Sequence, residues 1–166
     1  MASGDTPGSG GDTPAGGDTR AGGDTPAVGG TPARVLLIED DLPLATIVAK
    51  HLKARGHEIR VAESAEEAAD TISDGYRPTI VLLDINLPGD SGWAFLRGGA
   101  LDAAGKPPVF VVTATNIPPS RLREFGCAGY LPKPFALSTL IEIVERHHSE
   151  AAVSDASAAQ GEFDAR

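Results

Sequence analysis

Four short stretches of this sequence carry residues that could do chemistry together: Glu39-Asp40-Asp41, Asp84, Thr113 and Lys133. The acids follow the apolar run Val35–Ile38, and Asp84 follows Ile80–Leu83. Thr113 closes Val109–Val112, and Lys133 stands before Pro134, just after Gly129-Tyr130-Leu131. Carboxylates crowded into one mouth repel, so either some protonate or a cation neutralises them. Hard oxygen donors with room for water favour Mg²⁺ over Zn²⁺. A bound cation lets a further anion approach, and an ammonium and a hydroxyl suit the oxygens of a phosphoryl group. A carboxylate in that setting can act as a nucleophile and become an acyl phosphate. Asp84, alone at the end of an all-apolar run, is the candidate nucleophile.

Each residue taken singly has a plainer reading. Acids after a strand cap the next helix and complement its dipole. Asp84 could open an Asx turn ahead of Pro88, and a lone Thr or Lys carries no signal. The weight comes from their joint placement at four strand ends.

The elements that must position them follow from periodicity. Val35–Ile38, Ile80–Leu83 and Val109–Val112 read as buried strands, apolar throughout as expected when both sheet faces are covered. Glu58–Ala62 alternates like a further strand, and Gly129–Leu131 makes a brief fifth. Leu44, Ile47, Val48 and Leu52 recur at helical spacing, with Gly56 as the stop. Ser64 to Glu67 forms a capping box opening a helix to about Ser73. The spacing predicts a helix from Trp93 to about Ala103, weakened by Gly98-Gly99, and a short one from Ser120 to Phe125. A last helix runs from about Ala136 to His148, with Leu137, Leu140, Ile141 and Val144 on one face. Five alternations of strand and helix predict an α/β fold, a doubly wound parallel sheet with helices on both faces. Ligands then bind beyond the carboxyl ends of the strands.

Composition sets the limits. Residues 1–32 hold ten Gly in loose repeats of Gly-Gly-Asp-Thr-Pro-Ala, too polar to bury a core, and are expected to be a disordered tail. Residues 150–166, rich in Ala, Ser and acids, are expected to be a second disordered tail. Residues 33–149 make one domain. They carry 12 Lys/Arg and 15 Asp/Glu, a net of −3, and each flank adds a further −3. With no basic stripe, nucleic-acid binding is not expected. There is no apolar stretch long enough to span a membrane and no secretory signal. One cysteine, Cys127, allows no internal disulfide, so a reducing cytoplasmic location is expected.

The residues resemble the receiver domain of two-component response regulators. The matching pieces are Val35–Asp41, Leu82–Gly89, Val111–Ala114 and Tyr130–Phe135, and the resemblance covers about residues 33–149. It implies a flavodoxin-like receiver fold, five parallel strands in order 2-1-3-4-5 flanked by five helices. It implies that Asp84 is phosphorylated by a sensor histidine kinase or histidine phosphotransfer protein, with Mg²⁺. The metal would be held by Asp40, by Glu39 through a water, by Asp84 and by the backbone carbonyl of Asn86. Lys133, joined to Pro134 by a cis bond, would bind a phosphoryl oxygen. Thr113 would move toward the phosphoryl group, and Tyr130 would swing inward behind it. The switched face would be helix four, strand five and helix five of that fold.

The sequence also departs from the family pattern. The Thr113–Lys133 interval is about two residues short, and Pro118-Pro119 falls where helix four should begin, so that helix is expected to be short or displaced. About 17 residues follow the last helix, too few for a DNA-binding or catalytic module. A stand-alone receiver acting on another protein is expected, a phosphoacceptor rather than a turnover enzyme. One alternative is a receiver-fold scaffold independent of phosphorylation. Another is a haloacid-dehalogenase-like phosphatase, which Asn86 argues against, since those enzymes usually place a second Asp there. No Gly-rich loop supports nucleotide binding. His147 and His148 read as helix-end cations, His51 and His57 as surface or helix-edge residues, Trp93 as a packing residue, and Cys127 as a small packed side chain.

Overall fold

The computed structural model describes residues 32–160; of the expected disordered tails, 1–32 and 150–166, residues 1–31 and 161–166 lie outside the described residues, while residues 150–160 are helical. The strands are β1 (Arg34–Ile38), β2 (Glu58–Ala62), β3 (Ile80–Leu83), β4 (Val109–Thr113) and β5 (Gly129–Pro132). The helices are α1 (Leu42–Ala54), α2 (Ala65–Ser73), α3 (Gly92–Arg97), α4 (Ala100–Ala103), α5 (Pro119–Glu124) and α6 (Leu137–Gln160). All strand pairs are parallel, in the order β2-β1-β3-β4-β5. This is the flavodoxin-like receiver order.

Alternation along the strands divides the core between the two faces. Leu36, Ile38, Val81, Leu83, Val109 and Val111 meet Ala68 and Ile72 of α2 and Phe95 of α3. Val35, Leu37, Ile80, Leu82, Phe110 and Val112 meet Ala45, Val48 and Leu52 of α1 and Leu140, Ile141 and Val144 of α6. The central strands therefore have almost no solvent face, which explains why they contain almost nothing but Val, Ile, Leu and Phe, whereas the edge strand β2 exposes Glu58 and Arg60.

Register places the site. Ile38 is level with Leu83, Leu83 with Val111, and Val111 with Tyr130. One step further along, Glu39 and Asp84 emerge side by side, and Thr113 and Lys133 follow on the neighbouring strands. The Asp84 N–H donates to the Ile38 carbonyl (2.9 Å), pinning the end of β3 to β1.

Several expectations need correction. The single helix from Trp93 to Ala103 is two, α3 and α4. Gly98 caps the first, and Gly99, at φ +76°, opens the second. A left-handed residue cannot continue a right-handed helix, and glycine reaches that conformation without steric cost. Ile47 is half exposed rather than part of the buried stripe of α1. His57 is buried, not a surface residue. Its Nδ1 accepts the Ala33 N–H (3.3 Å), its Nε2 has no hydrogen-bond partner among the described residues, and its ring lies edge-on to His148. The last helix does not stop at His148: no Gly or Pro interrupts residues 137–160, and α6 runs to Gln160. His147 and His148 are thus mid-helix residues, and His147 packs its ring on Phe110 (4.6 Å between centroids).

The helix expected to be short is so. α5 has six residues and begins at Pro119. Trp93 is half-buried against Phe125 (4.6 Å between centroids), with the Arg121 guanidinium over its ring. Cys127 is half-buried against the core, and burial pushes its thiol pKa up.

Candidate functional site: an acidic mouth at the strand ends

The bland and functional readings of Glu39-Asp40-Asp41 separate by residue. Asp41 is the N-cap of α1, where its side chain accepts the Leu44 N–H (3.1 Å). Glu39 and Asp40 instead join Asp84, the three offering carboxylate oxygens within 4.8 Å of one another. Glu39 and Asp84 are buried, and Asp40 faces solvent.

Lys133 reaches into this cluster from β5. Its Nζ donates to both Glu39 oxygens (2.8 and 2.6 Å) and to Asp84 Oδ2 (2.7 Å). The Lys133–Pro134 bond that follows is cis. Asp84 Oδ1 accepts the Asn86 N–H (2.9 Å), the Asx-turn contact its sequence suggested. Both oxygens of Asp84 are therefore held in direction by the protein.

Burial and hydrogen bonding pull the ionisations apart. For Glu39, burial is the largest influence and raises its pKa despite the Lys133 contacts. For Asp84, burial is again the largest influence and pushes upward. The bonds from Lys133, the Asn86 N–H and the Thr113 hydroxyl together outweigh it, so Asp84 lies below the usual range. Burial opposes the charge on Lys133, and the two carboxylates overcome it and raise its pKa. Glu39 is more deeply buried than Asp84, and beside Lys133 it accepts only the longer Asp41 N–H bond (3.3 Å), whereas Asp84 has both the Asn86 N–H and the Thr113 hydroxyl, which accounts for the opposite directions within one ion-paired cluster. Asp84 is consequently the more firmly ionised carboxylate.

Thr113 is fully buried at the end of β4. Two contacts around it have no sequence signal. The Asn86 side-chain amide donates to both the Thr113 hydroxyl (3.1 Å) and the Thr115 hydroxyl (2.8 Å), tying the β3 loop to the β4 loop. The Tyr130 hydroxyl donates to the Thr115 carbonyl (2.9 Å). Asn86 was expected to matter only through its backbone carbonyl, and Thr115 was not singled out. Residues 29 and 15 positions apart leave no local pattern.

With all three acids ionised, three carboxylates face one ammonium. The mouth then has an excess of two negative charges, presented as hard oxygen donors. That donor set fits a small divalent cation of oxygen preference, and the mouth lies at the switch in strand order where ligands of open α/β sheets bind.

Fold and site together define a flavodoxin-like signalling domain with an acidic ligand mouth. The chain belongs to the response regulator receiver domain family, whose family model matches residues 35–145. The non-phosphorylated HemR receiver domain of Leptospira biflexa is 31% identical (TM-score 0.60), the match covering 72% of this chain and 95% of that one. The chemotaxis response regulator CheY4 of Vibrio cholerae is 25% identical (TM-score 0.63), with 70% and 99% covered. A CheY-like receiver domain protein from Methanospirillum hungatei JF-1 shares the fold at 23% identity (TM-score 0.66), with 72% and 96% covered. No helix among the described residues is long and apolar enough to cross a membrane.

Proposed function

We propose that this chain is a response regulator receiver whose Asp84 accepts a phosphoryl group from a phosphohistidine on a sensor kinase or phosphotransfer protein. The observation that carries the reading is the pairing with Lys133, in a receiver fold, of a firmly ionised Asp84 whose two oxygens are both held by the protein. An Asp84 oxygen forms the new bond to phosphorus as the phosphorus–nitrogen bond breaks, and the imidazole leaves with the electron pair. Lys133 neutralises a phosphoryl oxygen, and the Thr113 hydroxyl donates to another. Glu39, Asp40, Asp84 and the Asn86 carbonyl would hold Mg²⁺, which when bound offsets the charge of the acids and of the incoming phosphoryl group.

Phosphorylation changes the charge at the mouth, and Thr113 and Tyr130 carry that change to the α5–β5–α6 face. This face contains the fourth and fifth helices of the family fold, because the third is split here into α3 and α4. A downstream protein reads the face. The chemistry is self-catalysed phosphorylation with slow hydrolysis, not turnover of a substrate, in the reducing cytoplasm.

The test is intact-protein mass after incubation with a small acyl-phosphate donor and Mg²⁺. One phosphoryl adduct on wild type, absent without Mg²⁺ and absent from Asp84→Asn, is expected. No adduct under conditions that label a control receiver would sink the reading.

A further inference from the structure

Gly92 opens α3 behind the mouth, and it is glycine for want of space rather than for its backbone angles. Among the described residues the positive-φ glycines are Gly56, Gly75, Gly89, Gly99, Gly105 and Gly126, and Gly92 is not one of them. A Cβ at Gly92 would fall 2.6 Å from the Asp84 carbonyl oxygen, 3.0 Å from Ile85 Cα and 3.0 Å from Ile85 Cδ1. The first two are backbone atoms and cannot rotate aside. The Gly92 N–H also donates to the Ile85 carbonyl (3.1 Å), so the loop from Asp84 closes on this residue.

We propose that Gly92 is a positioning residue for phosphoryl transfer: its bare α-carbon lets α3 seat against the Asp84 backbone and sets where the Asp84 carboxylate stands. The inference rests on the reading of Asp84 as phosphoacceptor. To reach ordinary contact a Cβ needs roughly 0.8 Å of movement, from 2.6 to 3.4 Å. α3 cannot absorb all of it, because Phe95 is buried in the core and Trp93 is stacked on Phe125. Part of the displacement goes into Asp84, whose bonds to Lys133 and to the Asn86 N–H leave little slack. Misplacing a reacting group by about 1 Å can cost on the order of 10²-fold in rate.

The experiment compares the rate of Mg²⁺-dependent phosphoryl labelling in wild type, Gly92→Ala and Leu52→Ala, all as full-length chains. Leu52 supplies the structural control: it is fully buried on the other face of the sheet, at the end of α1 away from the mouth, and truncating such a side chain leaves a destabilising cavity. Melting temperatures are measured on all three, and labelling is read well below them. Slowing of about 10- to 100-fold in Gly92→Ala, with Leu52→Ala labelling near the wild-type rate at a comparable loss of melting temperature, is expected. Equal labelling of Gly92→Ala and wild type would overturn the inference, as would slowing that merely follows melting temperature in both variants. If Gly92→Ala gives no cooperative melting, Gly92→Ala/Ile85→Val is measured against Ile85→Val. That background removes the crowded Cδ1 and keeps the carbonyl clash, and an unslowed double variant would equally overturn the inference. A wild type that takes no label would sink the phosphoacceptor reading itself and this inference with it.

Discussion

Replacing Lys133 with Met removes the one cation that Glu39 and Asp84 share and leaves two buried carboxylates facing each other. Removing one partner of a buried ion pair costs about 3–5 kcal/mol when burial is complete. The Lys133 side chain is 19% exposed, so water recovers part of that cost, and a loss of roughly 2–3 kcal/mol at pH 7 is expected. The pH dependence supplies a sharper check. Without Lys133, burial and mutual repulsion raise both carboxylates above their unfolded values. The folded variant then takes up protons before the unfolded chain does, and its deficit shrinks as pH falls from 7 toward 5. Mg²⁺ should shrink it too, because a ligand of the folded state alone stabilises by mass action. The assay is denaturant unfolding followed by the fluorescence of Trp93, the only tryptophan. Subtracting wild type at each pH cancels the titration of groups common to both, His57 among them. A variant within about 0.5 kcal/mol of wild type at pH 7, the scale of an ordinary surface change, would refute the reasoning. A deficit that widens at pH 5 would refute it as well.

Burial, aided by Arg55 and His148 and opposed by Glu145, holds the His57 pKa below its unfolded value. The unfolded state therefore binds more protons as pH drops below about 6.5, and stability falls until the folded value is passed. Against His57→Gln, wild type should lose stability more steeply between pH 6.5 and 5, and parallel curves would exclude the effect. Ser64→Ala removes the acceptor of the Glu67 N–H (3.2 Å), and urea unfolding should register a loss of about 0.5–2 kcal/mol. Ile47→Lys, on a half-exposed position of α1, should stay within about 0.5 kcal/mol of wild type by the same measurement.

What could be read in advance was whatever local pattern carries. The all-apolar strands announced a sheet covered on both faces, and a polar residue at the end of each run marked the mouth. Ser64 and Glu67 announced α2, although Glu67 turns its carboxylate to the Glu63 N–H (2.7 Å) rather than completing the reciprocal bond to Ser64. The division of α3 from α4 was not legible, because glycine inside a helix costs only about 1 kcal/mol and its φ is set by the packing around it. His57 was misread because its burial comes from Ala33 and α6, elements distant in sequence. The Asn86 clasp on Thr113 and Thr115 was invisible for the same reason. Gly92 leaves no sequence signal either, since the Asp84 carbonyl that crowds it meets it only in the folded chain.

Lys133 and Glu39 stand 94 residues apart, and the cation arrives from the end of a four-residue edge strand that only β4 supports. The mouth is therefore complete only while that edge strand is seated on β4. Local opening that peels β5 from β4 would withdraw the ammonium while β1 and β3 stay paired and their acids stay in place. Whatever grips the β5 edge from outside would thus act as a brake or a throttle on chemistry it never touches.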